Sequence, residues 1–217
     1  QIIGQLSKYI NLSISRNKRD LLRRRKATVI MYERKDHYFE KAKQQGFRAR
    51  SSYKLKEIQE KYKLIKKNDR VLDIGCAPGS WLQIIKKHTT GEIIGVDLVK
   101  IKSLKGVTFI QGDITAKEVQ EQLTGKFNVI VSDIAPKTSG NKERDQYLSY
   151  HLSQQSYLLA KKFLKKGGNL CIKTFQSQDT EELIKEMKPH FSLLKRYIPK
   201  ATRFRSKEIY IIAKGFM

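Results

Sequence analysis

Residues 71 to 81 read VLDIGCAPGSW, and few junctions restrict a fold as tightly. An apolar run ending in Asp73 and Gly75 predicts a short buried strand, and the small residues after it let the chain turn at once into a helix opening near Gly79. Such a strand, glycine turn and helix bring backbone N–H groups close to a nucleotide-like ligand, and an acid closing the next strand is placed to accept from ribose hydroxyls. The next strand, EIIGVD, ends in Asp97.

The pattern then repeats. VTFIQGD ends in Asp113, FNVIVSD ends in Asp133, and NLCIKTF carries Lys173 near its end. Strands are expected near 70–75, 92–97, 107–111, 127–132, 169–174, 191–197 and 207–213, and helices at 79–88, 115–123, 146–165 and 179–188. Before the sheet, Ser51 or Ser52 is expected to cap a helix through YKLKEIQEKY that buries Tyr53, Ile58 and Tyr62. Alternation of this kind predicts an α/β fold: a mostly parallel seven-stranded sheet of Rossmann-like form, helices on both faces, and an antiparallel strand at one end. In an open α/β sheet, ligands bind beyond the carboxyl ends of the strands. Asp73, Asp97, Asp113, Asp133 and Lys173 are therefore expected along one edge. A glycine turn alone has many owners, and this one is not the G-x-G-x-x-G of dinucleotide enzymes, which argues against a dehydrogenase.

Several strings together carry a resemblance. DHYFEKAKQQGFRARSSYKLKEI, LDIGCAPGSWLQ, GVDL, FIQGD, SDIAPKTSG, IKTFQ and PKATRFRSKEIYIIA occur in an order and spacing similar to those of the FtsJ-type ribose 2′-O-methyltransferases, from about Asp36 to Ala213. The resemblance implies an S-adenosyl-L-methionine-dependent enzyme acting on a uridine of large-subunit ribosomal RNA, free or within a ribosomal particle. It places a catalytic tetrad on Lys54, Asp133, Lys173 and Glu208 and cofactor contacts on Gly79, Trp81, Asp97, Asp113 and Asp133, with Asp73 and Gly75 in the same turn. Trp81 has a second reading as a core aromatic, since tryptophan is mostly buried. Where the family usually reads A-P-N after the catalytic aspartate, this chain has Ala135-Pro136-Lys137, which sets a cation beside the site.

The 2′-hydroxyl is a poor nucleophile, and Lys173 is the residue expected to accept or steer its proton. If Lys173 is neutral it acts as the base; if charged, it orients the hydroxyl and steadies the developing oxyanion. Asp133 would position Lys173, while Lys54 and Glu208 would hold the target ribose.

Forty-five Lys/Arg against 21 Asp/Glu give a net formal charge of +24, the footprint of a polyanionic partner. Nucleic acid fits this best, because no apolar run approaches the roughly 18–20 residues that span a bilayer. Residues 1–50 hold fourteen basic and four acidic side chains, a net of +10. Arg48, Arg50, Lys137, Arg203 and Arg205 are the expected RNA contacts. Residues 1–30 read as a basic extension, residues 31–217 as one methyltransferase domain. The expected location is cytoplasmic, or mitochondrial if the extension belongs to a transit peptide. Cys76 and Cys171 and the four histidines show no metal spacing, so no metal is expected. Transfer-RNA anticodon loops and messenger-RNA caps are alternative substrates, and a non-catalytic RNA-binding or ribosome-assembly protein is an alternative of another class.

Overall fold

A computed structural model describes residues 37–203 and 206–217. The chain separates into two compact units, residues 1–41 and 42–217. Of the first, residues 37–41 are described and are helical. The basic extension and Arg205 lie outside the described residues.

The second unit is built on one sheet. Its strands are β1 (Val71–Ile74), β2 (Ile93–Asp97), β3 (Thr108–Gln111), β4 (Phe127–Ser132), β5 (Leu164–Phe175), β6 (Phe191–Tyr197) and β7 (Glu208–Phe216). They lie in the order β3-β2-β1-β4-β5-β7-β6. The β3 to β5 side is parallel throughout, and β7 runs antiparallel to both neighbours. The expected antiparallel pair is thus present at one end, but the last strand in sequence is threaded inside and β6 forms the edge.

The helices are α1 (Ser52–Tyr62), α2 (Ser80–His88), α3 (Lys117–Gln120), α4 (Lys142–Phe163) and α5 (Gln178–Met187). Because strand side chains alternate between faces, each strand feeds two cores. Leu72, Ile130, Leu170, Ile172 and Ile211 pack with Tyr157 and Ala160 of α4 and with Leu183 and Met187 of α5. On the other face Val71, Val129, Val131, Cys171, Tyr210 and Ile212 pack with Leu55 and Ile58 of α1 and with Trp81, Leu82 and Ile85 of α2. The second core underlies the site, since Lys173 follows Cys171 and Glu208 precedes Tyr210 by two residues each on the same strand faces.

Two helix boundaries and one cap differ from expectation for local reasons. The helix expected over 115–123 shrinks to α3, because Gln122 and Leu123 turn back in tight steps onto Val119 and Gln120 ahead of Gly125 at φ +70°. Helix α4 opens four residues early, at Lys142, because the Asn141 side chain accepts from the Arg144 N–H at 3.1 Å. Ser51 does precede α1, but its hydroxyl pairs with that of Ser80 at 2.8 Å and makes no cap. Of the expected stripe, Tyr53 and Ile58 are buried and Tyr62 is half-buried. Among the described residues no helix is long and apolar enough to cross a membrane.

Candidate active site

The glycine turn is fixed from below and above. Gly75 and Gly79 sit at φ +71° and +96°, where glycine is favoured. A Cβ on Gly75 would lie 2.0 Å from Ile134, and one on Gly79 would lie 2.5 Å from the Arg48 guanidinium. Arg48 donates across the turn to the carbonyls of Pro78 (3.1 Å) and Ser103 (3.0 Å). Arg50 likewise donates to the carbonyl of Ala201 at 2.8 Å. Both arginines expected on the RNA path thus have structural bonds. Arg48 in particular is a clamp on the turn, so its removal would disturb the cofactor region as well as any RNA contact. Lys137 and Arg203 are exposed.

Two carboxylates, Asp73 and Asp97, adjoin this turn, and Asp113 follows the neighbouring β3. Asp97, at the end of β2, accepts from the N–H of Ala77 through one oxygen and from that of Val99 through the other, each at 2.8 Å. Asp113 uses one oxygen to hold the Thr115 N–H and hydroxyl, each at 2.8 Å, turning the chain after β3. Asp73 is only 1% exposed, and neither carboxylate oxygen has a hydrogen-bond partner. Burial pushes its acid well above the usual carboxylate range, and the nearby Asp133 and Asp97 charges push it the same way. An orphaned carboxylate beneath a crevice edged by two more is suited to a cationic ligand, whose charge would favour the ionised form.

Trp81 is 2% exposed, and its indole N–H donates to the Ser51 carbonyl at 2.9 Å. The structure thus buries Trp81 where it joins α2 to the start of α1. Cys76 and Cys171 are buried free thiols, and burial raises both above the ordinary thiol range.

The four tetrad residues converge as two ion pairs. Lys173, 8% exposed, donates to Oδ1 of Asp133 at 2.9 Å and also to the Asp133 carbonyl. Lys54, from the first turn of α1, pairs with Glu208 at the start of β7, and both side chains are nearly buried. Two nearly buried pairs of opposite charge leave no isolated charge out of water, which makes the arrangement tolerable.

Tyr210, which the residue pattern had not singled out, joins the pairs. It faces Lys173 in the β5–β7 register, donates its hydroxyl to Asp133 Oδ1 at 2.7 Å, and lies with its ring 5.7 Å from the Lys54 ammonium and 5.8 Å from the Trp81 ring. Burial keeps the phenol protonated far above its usual range. The signal was available: Glu208 and Tyr210, two apart on a strand, share a face.

Asp145 was also missed. From the first turn of α4 it accepts from the Ser139 N–H (2.8 Å), the Ser139 hydroxyl (2.9 Å) and the Gly140 N–H (3.2 Å), pinning the loop after Asp133. These bonds, led by the Ser139 N–H, hold the acid below its ordinary value. A depressed folded-state value contributes stability that is present above the unfolded aspartate value of about 3.9 and is lost as pH falls through the folded value. Asp145→Ala is therefore expected to melt a few degrees (~2–4 °C) below wild type at pH 7. The gap should close on acidification below about pH 4. A gap that is constant with pH would remove the carboxylate from the loop's support.

The FtsJ-like methyltransferase family profile matches residues 47–216. A protein from Methanosphaerula palustris named Ribosomal RNA large subunit methyltransferase E is 44% identical over 186 residues, covering 84% of this chain and 92% of its own length. Its namesake from Archaeoglobus fulgidus is 40% identical over 189 residues, covering 86% and 98%. A Plasmodium falciparum crystal structure described as a ribosomal RNA methyltransferase superposes with a TM-score of 0.71 at 33% identity, covering 78% of this chain and 98% of that one. Aeropyrum pernix fibrillarin, solved with natively bound S-adenosyl-L-methionine, superposes at 0.53 with 18% identity over 75% of this chain and 76% of its own, a likeness of fold.

Proposed function

The chain belongs to the FtsJ-like methyltransferase family, and from that premise we propose that it methylates the ribose 2′-hydroxyl of a uridine in large-subunit ribosomal RNA, with Lys54, Asp133, Lys173 and Glu208 as its reacting constellation. It is an RNA methyltransferase that uses S-adenosyl-L-methionine. The observation that carries the ribose reading is the contact of Lys173 with Asp133 at the carboxyl edge of the sheet, beside the glycine turn. Ribosomal RNA as substrate is supported by the names of relatives 40–44% identical to most of the chain.

When bound, S-adenosyl-L-methionine supplies a methyl group already activated on a cationic sulfur. The chain's own residues bind, orient and handle one proton. Asp73, Asp97 and Asp133 give the crevice the negative charge that a cationic donor requires, and Gly75 and Gly79 let Ile134 and the Arg48 guanidinium pack directly against the turn. Lys173 spends two N–H bonds on Asp133. Its remaining position faces the target oxygen in this reading, as a lone pair that takes the 2′-hydroxyl proton or as a third N–H that steadies the oxygen as it loses that proton. Tyr210 and the Asp133 backbone fix the lysine's direction, a preorganisation of the kind that lowers a barrier by positioning. Lys54, held by Glu208, adds positive charge on the α1 side for the sugar.

The purified chain with methyl-labelled S-adenosyl-L-methionine should transfer label to large-subunit ribosomal RNA in preference to transfer RNA or capped messenger RNA. Preferential labelling of either alternative would change the substrate class while leaving the chemistry standing.

A further inference from the structure

Helix α1 carries more than its share of the tetrad. Glu57 follows Lys54 by three residues, so the two lie on one helix face. Lys54 reaches Glu208, where the β6–β7 loop (residues 198–207) ends, and Glu57 holds the beginning of the same loop. One Glu57 oxygen accepts from the hydroxyl of Tyr197, the last residue of β6, and the other accepts from the Lys200 N–H at 2.8 Å. The Tyr197 ring is fixed in turn, edge-on to Tyr62 with centroids 5.4 Å apart and with the Lys61 ammonium 4.2 Å from its centre. Burial, with the Glu57 contact after it, keeps this phenol protonated above its ordinary range, so the hydroxyl stays a donor. Arg50, just before α1, adds a further grip through the Ala201 carbonyl.

A loop gripped in this way presents a defined outer surface. Pro199 and Ala201 are buried, whereas Ile198, Lys200 and Arg203 are exposed. Inside the loop the Thr202 N–H donates to the Pro199 carbonyl and the Ser206 N–H to the Arg203 carbonyl, both at 2.9 Å. The loop leaves β6 beside the tetrad, since Tyr197 lies opposite Tyr210 in the β6–β7 register and Tyr210 is bonded to Asp133. By charge alone Glu57 is the wrong residue beneath such a loop, because an acid weakens the positive potential that draws phosphates. Its two bonds supply an opposing gain, because a loop ordered beforehand loses less freedom when RNA binds.

We propose that Glu57 is a positioning residue for RNA, holding the β6–β7 loop in a preformed shape from which Lys200 and Arg203 contact phosphates beside the methylated nucleotide. This rests on the RNA-methyltransferase reading above and adds to it a backbone-binding loop and the acid that sets it. The loop would fix where along the strand the enzyme stops, without reading the base, because phosphate contacts set position and register.

The charge and the bonds of Glu57 predict effects of opposite sign. Fluorescence anisotropy with a labelled single-stranded oligouridylate, read across a salt series, compares the full chain with Glu57→Ala, Glu57→Gln and Lys200→Ala/Arg203→Ala. Removing an acid raises the net positive charge, so a carboxylate acting only through its charge would, once removed, leave tighter RNA binding. Glu57→Ala is expected instead to bind roughly threefold to tenfold more weakly, the scale of ordering a loop on binding. Glu57→Gln, whose amide keeps an acceptor for the Lys200 N–H, should recover most of that loss. Lys200→Ala/Arg203→Ala should lower the log–log salt slope by about 1.4, two phosphates at about 0.7 each on a single strand. In that background Glu57→Ala should cost little more, because the acid acts through the two cations. Retained S-adenosylhomocysteine affinity marks a folded site; where Glu57→Ala lacks it, Tyr197→Phe, which deletes one bond with no change of charge, takes its place with a weakening of the same sign. The proposal is overturned if that variant binds RNA as tightly as wild type or more tightly, if Glu57→Gln recovers nothing, or if the loss is undiminished in the Lys200→Ala/Arg203→Ala background. Binding is read without methyl transfer, so an absence of transfer by wild type would count against the activity reading alone.

Discussion

Lys173→Ala is expected to lower the rate of methyl transfer at least ~10²-fold, the usual scale of a positioned proton-handling group, and Asp133→Ala is expected to do the same. The two should not multiply, because the lysine depends on the aspartate for its direction. Loss of Lys173 leaves Asp133 bonded to Tyr210, so the fold should survive at a lower melting temperature, as a single cooperative melt and retained S-adenosylhomocysteine binding would record. A rate that climbs with pH in wild type assigns Lys173 as the base, and a flat profile assigns it the stabilising role. Near-normal methylation by Lys173→Ala would end this mechanism.

The second large effect belongs to Asp97. Its carboxylate ties the N–H groups of Ala77 in the glycine turn and Val99 beyond β2, and in the proposed complex it also accepts from the nucleoside ribose. Asp97→Ala strands partly buried donors, at a cost of about 1–3 kcal/mol, roughly tenfold to a hundredfold in affinity for S-adenosylhomocysteine. Calorimetry that finds unchanged affinity would move the nucleoside away from the end of β2.

The apolar runs before Asp97 and Asp133 became strands buried on both faces of the parallel sheet, with the charge at the wetter end. The succession of strands along the chain and the placement of Asp73, Asp97, Asp133 and Lys173 near one edge come from that pattern and from the glycine turn, whereas the threading of β7 inside the sheet does not. The two lysine pairings are less legible. Lys54 meets Glu208 only because α1 packs on the face of β7 that carries Tyr210, a contact between distant segments that no local spacing encodes.

The arginines show the same limit from the other side. Arg48 reads as a free cation beside a basic string, yet it is spent on the carbonyls of Pro78 and Ser103, residues that fold beside it through the sheet. Trp81 gives its indole N–H to the Ser51 carbonyl, a partner 30 residues away that no local pattern announces. Asp145 gave little warning, because its partners are backbone N–H groups of a loop whose shape appears only in the folded chain.

The central claim is that the methyl group goes to ribose oxygen and that Lys173 directs it there. Alkaline hydrolysis of RNA methylated by the chain, followed by mass spectrometry, tests this most directly, since a 2′-O-methyl group blocks cleavage at its own phosphodiester. The account predicts one alkali-resistant dinucleotide, beginning with a methylated uridine, that is absent when Lys173→Ala replaces wild type. Methyl label recovered on a base in mononucleotides, or an undiminished resistant dinucleotide from Lys173→Ala, would contradict it.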